Sequence, residues 1–204
     1  MRSPGTFNAN QKSKEHWLDV ALAYQKAKQH AKAIADFDHV IRRDPNFVDA
    51  YIGKGNALYN LDRNEEALTL FDLAIHLDPD YTDVYLYKGD AFYNLRRHQE
   101  ALVSYEQAIR LNPDDAVAYS TYGDVLCELW HYEEALAAYD QSIRLEQSNA
   151  EVHNDERYAL DDAIQRDPDN AYLWQSKGDT LKRLRWSEEA HEAYERARQT
   201  GHQT

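Results

Sequence analysis

The stretch that decides the fold is residues 48–81, which read VDAYIGKGNALYNLDRNEEALTLFDLAIHLDPDY. The aromatic residue at its fourth position recurs at intervals of 34 residues, at Trp17, Tyr51, Tyr85 and Tyr119. The proline near its end recurs at the same interval, at Pro45, Pro79 and Pro113. A constant period of this length indicates an array of similar, stacked units.

The period divides the chain into units of equal length, with one exception. Four full units occupy 14–47, 48–81, 82–115 and 116–149, and a last one occupies 171–200. The segment 150–170 between them is too short for a complete unit, and Gln147 stands where the next proline is expected. Residues 1–13 are predicted to form a flexible leader, and residues 201–204 a polar tail.

Each full unit is predicted to form two helices joined by a polar turn. In the second unit, Tyr51, Gly55 and Leu58 share one helical face because their spacing is i, i+4 and i+7. Ala67 and Phe71 lie on one face of the second helix, and the Asp-Pro pair ends that helix. A helix pair cannot bury both of its faces alone, so neighbouring units must stack. The sequence therefore predicts an all-α solenoid of antiparallel helix pairs.

The short segment 150–170 is predicted to form one helix instead of two. Neither glycine nor proline occurs between Ala150 and Asp167 to end a helix, and two separate helices would each be too short to be stable. The side chains expected to share one side of this helix are Val152, Tyr158, Leu160 and Ile164. The total is then eleven helices, and the last pair meets the preceding units in a changed register. The alternative is a deletion that the array tolerates without functional meaning.

Composition and charge narrow the classes of protein. The chain has 204 residues, 43% of them hydrophobic, a net charge of −13 and a sequence pI near 5.0. This apolar fraction argues against disorder, and the negative charge disfavours nucleic acid and anionic membranes as partners. The chain has no apolar run of membrane-spanning length and no apolar signal-peptide core, so we expect a cytoplasmic protein. Cys127 is the only cysteine, which excludes a disulfide within the chain.

The repeating pattern resembles the tetratricopeptide repeat, whose signature is W-x2-L-G-x2-Y followed by Ala, Phe and Pro on a 34-residue unit. The matching segments are Trp17-x2-Val20-Ala21-x2-Tyr24 and Tyr85-x2-Lys88-Gly89-x2-Phe92. The resemblance covers nearly everything from residue 14 to about residue 200. It implies a right-handed superhelix whose concave groove is lined by first helices and holds a peptide or a partner helix.

The same resemblance implies which residues line the groove, at positions 2, 5, 6, 9, 12 and 13 of a unit. On this chain they are Asp49, Ile52, Asn56, Tyr59, Asn60, Asp83, Leu86, Tyr87, Asp90, Tyr93, Asn94, Ser120, Thr121, Asp124, Cys127 and Glu128. Tyrosines and side-chain amides suit an extended peptide, and carboxylates favour a partner with Lys or Arg. Hardly any Lys or Arg is present in this set. The alternative is that these residues are only hydrated.

Two other binding modes are weighed against this groove. The clamp that some members use for acidic chaperone tails needs Lys, Asn and Arg at set positions, and only Asn56 fits, so chaperone-tail binding is not expected. The last unit carries Lys182, Arg183 and Arg185, which we interpret as a solvated helix end, with an acidic-partner site or a self-contact as the alternative.

Catalysis is not expected, because no HExxH, GxSxG or phosphate-loop motif is present. No cofactor or metal ion is expected either. The leading hypothesis is a scaffold that binds a protein or peptide partner. One alternative is self-association as a homodimer through an exposed apolar edge on the uncapped last pair, at Ala190, Ala193, Tyr194 and Ala197. Another is a regulatory arm of a larger assembly.

Overall fold

The computed structural model describes residues 13–146 and 150–201. Within these two ranges the chain forms eleven α-helices and no strand. The predicted all-α class and the predicted count of eleven helices are therefore confirmed. Outside the described residues lie nearly all of the predicted leader, Gln147 at the expected proline position, and residues 202–204 of the predicted tail.

The chain divides into two compact units, Met1–Arg96 and Arg97–Thr204. The first contains α1 Lys14–Lys26, α2 His30–Arg43, α3 Val48–Tyr59, α4 Asn64–Leu77 and α5 Thr82–Asn94. The second contains α6 His98–Leu111, α7 Ala116–Glu128, α8 Tyr132–Leu145, α9 Ala150–Arg166, α10 Ala171–Arg183 and α11 Ser187–Gly201. In the first unit, successive helices from α1 to α5 pack against each other. In the second unit, successive helices from α6 to α11 do the same.

A backbone motif with a left-handed residue ends the first helix of each pair. In the turn after α7, the N–H of Trp130 donates to the Cys127 carbonyl and that of His131 to the Leu126 carbonyl, each at 2.9 Å. These two bonds make up the Schellman motif. The left-handed residues, with φ between 54° and 69°, are Lys28, Asp62, Arg96, Trp130 and Arg185. None of these five is glycine, the residue that adopts this conformation at least cost.

Close packing inside a pair depends on glycine in the first helix. A Cβ atom at Gly123 would lie 2.7 Å from the ring of Tyr139, and one at Gly178 would lie 2.4 Å from the ring of Tyr194. The hydroxyl of Tyr139 also donates to Asp124 at 2.7 Å. The recurring glycine and the recurring aromatic residue are thus direct neighbours across each of these pairs.

A second recurring contact links each pair to the one before it. The side chain three residues after the periodic aromatic bonds to a carboxylate on the preceding second helix, and we call this contact the junction pair. The junction pairs are Lys54–Asp38 at 2.6 Å, Lys88–Asp72 at 2.7 Å, Tyr122–Glu106 at 3.0 Å and Lys177–Asp161 at 2.6 Å. Lys177–Asp161 shows that the second half of α9 takes the part of a second helix towards α10.

The shortened segment forms the single helix α9, which is 17 residues long and packs in two directions. Towards α7 and α8, Val152 and Ala159 join a buried cluster around Tyr139. Further along, Leu160, Ala163 and Ile164 join a second cluster with Leu136 of α8 and Leu173 of α10. α9 contacts α7 as α3 contacts α1. The expectation that Tyr158 shares the buried side is wrong, because its side chain is 61% exposed.

Candidate peptide-binding groove

In the first unit, α3 contacts both α1 and α5, and the three first helices form the surface of interest. On α3, Asn56, Tyr59 and Asn60 lie together because residues three and four apart share a helical face. On α5, Tyr87 and Asp90 are three residues apart for the same reason. These five residues all belong to the predicted groove.

A cavity of about 470 Å³ lies on this surface. Its lining residues are Gln25, Lys26, Lys28, His30, Asn56, Tyr59, Asn60, Tyr87 and Asp90. The structure therefore brings five predicted residues together and adds four from α1, the turn after it and the first residue of α2. Lys26 and Lys28, which lie outside the predicted set of groove residues, also border this cavity.

A smaller cavity of about 280 Å³ lies nearer the start of α3. It is lined by Leu18, Leu22, Gln25, Asp49, Ile52, Gly53, Asn56 and Tyr81. Ile52 is only 6% exposed, so it offers a small apolar patch and not a projecting side chain. Leu22 is 49% exposed, and Gln25 is held by a 2.9 Å hydrogen bond from its amide to the Gly53 carbonyl. This cavity combines an aliphatic wall with one exposed carboxylate.

Side-chain hydrogen bonds orient the tyrosines of this surface. Burial raises the pKa of Tyr87, the charge of Asp83 adds to the increase, and a side-chain hydrogen bond with Asn56 opposes it. Burial likewise raises the pKa of Tyr59, with the charge of Asp90 acting in the same direction and a hydrogen bond with Asn94 opposing it. The amides of Asn56 and Asn94 thus link α3 to α5 and hold both rings in place.

The remaining predicted residues of α5 lie outside these two cavities. Asp83 is exposed in the first turn of α5, and Asn94 is exposed at its end. Leu86 and Tyr93 are partly buried. Asp83 still acts on the surface electrostatically, since its charge contributes to the raised pKa of Tyr81 as well.

In the second unit, the predicted groove residues lie on α7 and border neither its cavity of about 730 Å³ nor that of about 550 Å³. The Thr121 hydroxyl donates to the Val117 carbonyl at 3.0 Å, and the Ser120 hydroxyl does the same. Asp124 accepts the Tyr139 hydrogen bond, and Glu128 is exposed at the last residue of α7. These hydroxyls and this carboxylate thus serve the helix pair itself.

The prediction of an exposed apolar edge for self-association on the last pair is wrong. Ala190, Ala193 and Ala197 are 4%, 2% and 8% exposed, because they pack within the chain. The Tyr194 hydroxyl donates to Asp179 of α10 at 2.8 Å. The three alanines are buried and Tyr194 is bonded to α10, so the four residues do not form an exposed apolar edge.

The repeated geometry is that of a known protein family. Models of the tetratricopeptide repeat match residues 18–82, 82–115 and 159–192, which together are more than half of the chain. The chain belongs to the tetratricopeptide repeat family. The third match begins inside α9 and ends in α11, so the family pattern resumes within the shortened segment.

Solved structures of similar fold include other tetratricopeptide repeat proteins. YrrB, described as having an unusual peptide-binding site, is 20% identical with a TM-score of 0.60, covering 94% of this chain and 88% of its own. MamA from Desulfovibrio magneticus is 18% identical with a TM-score of 0.63, covering 94% and 96%. TTC0263 from Thermus thermophilus is 18% identical with a TM-score of 0.63, covering 91% and 98%. At these identities the similarity concerns the fold. No curated protein sequence matches the chain.

The shortened repeat of this tetratricopeptide protein contains an ion cluster that the sequence analysis missed. Glu156 is 4% exposed, and Nη1 of Arg183 donates to both of its carboxylate oxygens at 3.1 Å. Nη2 of Arg183 donates to Asp140 at 3.4 Å. Burial raises the pKa of Glu156, and the Arg183 charge opposes that increase. The interpretation of Arg183 as part of a solvated helix end is therefore wrong.

The junction pairs explain why Arg183 is needed there. Glu156 occupies the α9 position at which Lys54 and Lys88 stand in α3 and α5, and it faces Asp140, where those lysines face an aspartate. Two carboxylates at one junction repel each other unless a cation lies between them. Arg183 of α10 supplies that cation. A glutamate at the position that holds lysine in α3, α5 and α10 was the available signal in the sequence.

The part of the chain that the structure describes contains neither a candidate metal site nor a candidate membrane-spanning helix. No group of three or more His, Cys, Asp or Glu side chains in residues 13–146 and 150–201 could hold a metal ion. Burial raises the pKa of the Cys127 thiol to about 11, with a side-chain hydrogen bond between Cys127 and Tyr139 opposing that increase. None of the described helices is long and apolar enough to cross a membrane.

Proposed function

We propose that this tetratricopeptide repeat protein is a non-catalytic scaffold that binds an extended polar peptide with a Lys or Arg side chain along α1, α3 and α5. One observation carries the proposal: Asn56, Tyr59, Asn60, Tyr87 and Asp90 all border a single cavity of about 470 Å³. Members of this family act as interaction modules, and a fold of this kind needs a specific surface to define its role.

The chemistry of the surface suits a peptide main chain. The amides of Asn56, Asn60 and Gln25 each carry both donors and acceptors, which match the alternating groups of an extended backbone. The rings of Tyr59 and Tyr87 add contact area at little cost in side-chain entropy, because they are already held by hydrogen bonds. These groups give affinity for a main chain without demanding one sequence.

The smaller cavity supplies the preference for a basic side chain. Asp49 is exposed at its rim, and Asp83 adds negative charge nearby, since both raise the pKa of Tyr81. Leu18 and Leu22 can cover the aliphatic stem of a lysine or arginine while its charged end meets Asp49. Lys26 and Lys28 border the larger cavity, so we expect the carboxyl-bearing part of the peptide at that end.

The test is affinity capture from a host extract with the full chain as bait. The test variants are Asn56→Ala and Asp49→Lys, and the matched control is Asp80→Lys, an exposed carboxylate in the connection before α5 that borders neither cavity. We expect both test variants to lose the specific partner by at least about tenfold and the control to retain it, because single residues at the centre of an interface dominate affinity.

Circular dichroism on each variant separates loss of binding from loss of fold. If a partner remains bound equally to folded Asn56→Ala and folded Asp49→Lys, this surface is not its binding site. If Asp80→Lys loses the partner as much as Asp49→Lys does, general negative charge explains the binding and the groove does not.

A further inference from the structure

A second kind of cleft recurs between helices of this fold, away from the proposed groove. In the first unit it lies over α3, between α2 and α4, and has a volume of about 340 Å³. In the second unit it lies over α10, between α9 and α11, and has a volume of about 730 Å³. The junction pairs Lys54–Asp38 and Lys177–Asp161 lie at equivalent places in the two clefts. We call the cleft of the first unit the small cleft and that of the second unit the large cleft.

Two replacements distinguish the large cleft from the small one. Ala193, the seventh residue of α11, stands where the seventh residue of α4 is Leu70, and both border their clefts. Trp186 immediately precedes α11, as Arg63 precedes α4. The shorter side chain widens the cleft, and the indole, which is 43% exposed, places an aromatic wall at its edge.

The same replacement changes the electrostatics. In the small cleft, Glu66 accepts two hydrogen bonds of 2.7 Å from the guanidinium of Arg63. Glu189 is the equivalent residue of α11, and the place of Arg63 is taken by Trp186. No ion pair of Glu189 is present among residues 13–146 and 150–201. Glu192 adds a further carboxylate on the same wall.

The basic groups that border the large cleft are Arg157, Lys177 and Arg196, and the first two share the carboxylate of Asp161. Nζ of Lys177 lies 2.6 Å from one Asp161 oxygen, and Nη1 of Arg157 donates to the other at 3.1 Å. The Arg157 guanidinium also lies 4.0 Å from the Tyr158 ring centre and 5.3 Å from that of Trp186. The floor keeps one uncompensated positive charge, so the attraction for a further cation rests on Glu189 and Glu192 of α11.

The large cleft is distinct from the surface that repeat numbering assigns to binding. Trp174, Lys177 and Leu181 border it, and they follow each other at spacings of three and four on one face of α10. Tyr172 and Asp179, at the groove positions of this unit, lie on the opposite face by the same helical geometry. A ligand in the large cleft would thus use none of the residues of the proposed groove.

We propose that the large cleft binds a segment of a partner protein that places an Arg or Lys between Trp186 and Glu189 and an aliphatic side chain over Leu181 and Ala193. The cation takes the contact with Glu189 that Arg63 makes with Glu66, and it gains a cation–π contact with the indole. The aliphatic side chain fills the volume that Leu70 fills in the small cleft. An exposed tryptophan beside a partly apolar pocket is also the usual centre of a protein interface.

The experiment uses an array of 12-residue peptides with a central Arg and varied flanking residues, each paired with a copy in which Gln replaces the Arg, screened with the full chain. The selected peptides are then measured in solution by calorimetry. Trp186→Arg rebuilds the arrangement of the small cleft, Ala193→Leu refills the volume, and Glu188→Gln is the control. Glu188 does not border the cleft, and its substitution changes the net charge by the same +1 as Trp186→Arg.

We expect peptides with an aliphatic residue near the Arg to be selected, and to bind Trp186→Arg and Ala193→Leu at least about tenfold more weakly. Affinity for Glu188→Gln and for the groove variant Asn56→Ala stays within about twofold of the parent chain. The Asn56→Ala result separates this proposal from the proposed function, since each surface can fail alone.

Four outcomes overturn the proposal. They are unchanged binding to a folded Trp186→Arg, equal loss in Glu188→Gln, selection of peptides without regard to the central Arg, and loss in Asn56→Ala alone. Concentration-dependent light scattering provides a further readout: a dimer of the parent chain that Trp186→Arg dissociates, with no peptide selected, assigns the cleft to a second copy and overturns the proposal too. If Ala193→Leu does not fold, Trp186→Arg decides the result.

Discussion

The hydroxyl of Tyr51 donates a hydrogen bond of 2.9 Å to the main-chain carbonyl of Pro45, so the two residues that mark the 34-residue period are in direct contact. Tyr85 makes the same bond to Pro79, also at 2.9 Å. The proline closes one unit and the aromatic residue opens the next, and the bond between them fixes the connecting chain.

Removing this hydroxyl tests the contact. Tyr51→Phe is expected to lower the free energy of unfolding by about 0.5–1 kcal/mol, because a hydrogen bond at an exposed site contributes at the low end of the usual range. Tyr158→Phe is the control, since Tyr158 is 61% exposed and its ring contact with Arg157 does not need the hydroxyl. Urea unfolding of both variants measures the difference, and equal effects would show that the Pro45 bond adds nothing.

The glycine in the first helix of a pair is expected to matter most where the opposing ring is held. At Gly123, a Cβ would lie 2.7 Å from Tyr139, whose hydroxyl is bonded to Asp124. At Gly55, the opposing ring is that of Phe71, at 2.5 Å, which has no hydroxyl to hold it. At each glycine, the opposing ring is close enough that an added methyl group must displace it.

We therefore expect Gly123→Ala to cost about 1–3 kcal/mol through overpacking. Gly55→Ala should cost less, because the Phe71 ring is not held by a hydrogen bond and can shift, whereas the gain of about 1 kcal/mol in helix propensity is common to both substitutions. Hydrogen exchange of α7 and α3 amides measures the two effects locally. The ring-tethering argument is wrong if Gly55→Ala proves the more damaging change.

The left-handed residues of the turns offer a stabilising substitution. Arg185 has φ 64°, and Arg185→Gly is expected to raise stability by about 1 kcal/mol, because a residue with a Cβ is strained in this conformation. Lys182→Gly, placed inside α10, should instead lower stability by about 1 kcal/mol. Thermal unfolding followed by circular dichroism measures both changes, and a lower melting temperature for Arg185→Gly contradicts the prediction.

The ion cluster at α9 predicts a large effect for one arginine. Arg183→Met leaves Glu156 buried beside Asp140 with no cation between them, and we expect a loss of about 2–3 kcal/mol. Adding Glu156→Gln to this variant should recover part of the loss, because the buried charge is then gone. A double-mutant cycle by urea unfolding measures the coupling, and additive losses would mean that the two side chains act independently.

The pH dependence of stability should report on His153. Burial lowers the pKa of His153 below 6.5, and the charge of Arg183 lowers it further. Because the folded-state pKa is depressed, the stability from the neutral ring is present above pH 6.5 and is lost as the pH falls below it. The raised pKa of Glu156 acts in the opposite direction, since a carboxyl with a raised pKa favours the folded state more at lower pH.

The contribution of the imidazole is isolated when the stability of the parent chain is compared with that of His153→Gln. Asp140 and Arg144 of α8 border the same cavity as His153 and are kept in both proteins. We expect the parent chain to lose stability relative to His153→Gln as the pH falls from 7.5 to 5.5. Parallel stability curves for the two proteins over this range would contradict the assignment.

The period in the sequence predicts the helices because its residues touch one another. Tyr51 meets Pro45, and Gly123 meets Tyr139, so each recurrence carries a contact as well as a spacing. The turns were harder to predict, because Trp130 adopts a left-handed conformation without being a glycine. There the backbone hydrogen bonds of the turn dominate over the intrinsic preference of the residue.

The candidate groove was predictable only in part. Asn56 and Tyr87 reach one cavity as the repeat positions predict, whereas Lys26, which belongs to the first unit, lies outside the predicted set of residues. Ala193 was assigned to an exposed edge, since the sequence alone does not say which face of α11 rests on α10. The bond from Arg183 to Glu156 joins residues whose separation does not follow the 34-residue period, so the repeat pattern marks Glu156 as unusual but does not identify its partner.

The single helix α9 acts as a stacking fault, in the sense that crystallographers give the term. Before it, first helices neighbour first helices, as α3 neighbours α1. At the fault, α9 neighbours α7, while α10, a first helix by sequence, reaches α8 through the bond of Arg183 to Asp140. Contacts are complete on both sides, yet the two types of helix have exchanged places. A position number that identifies a groove residue in α7 therefore identifies the opposite surface in α10, and any comparison of repeats across residues 150–166 must be made by layer and not by sequence position.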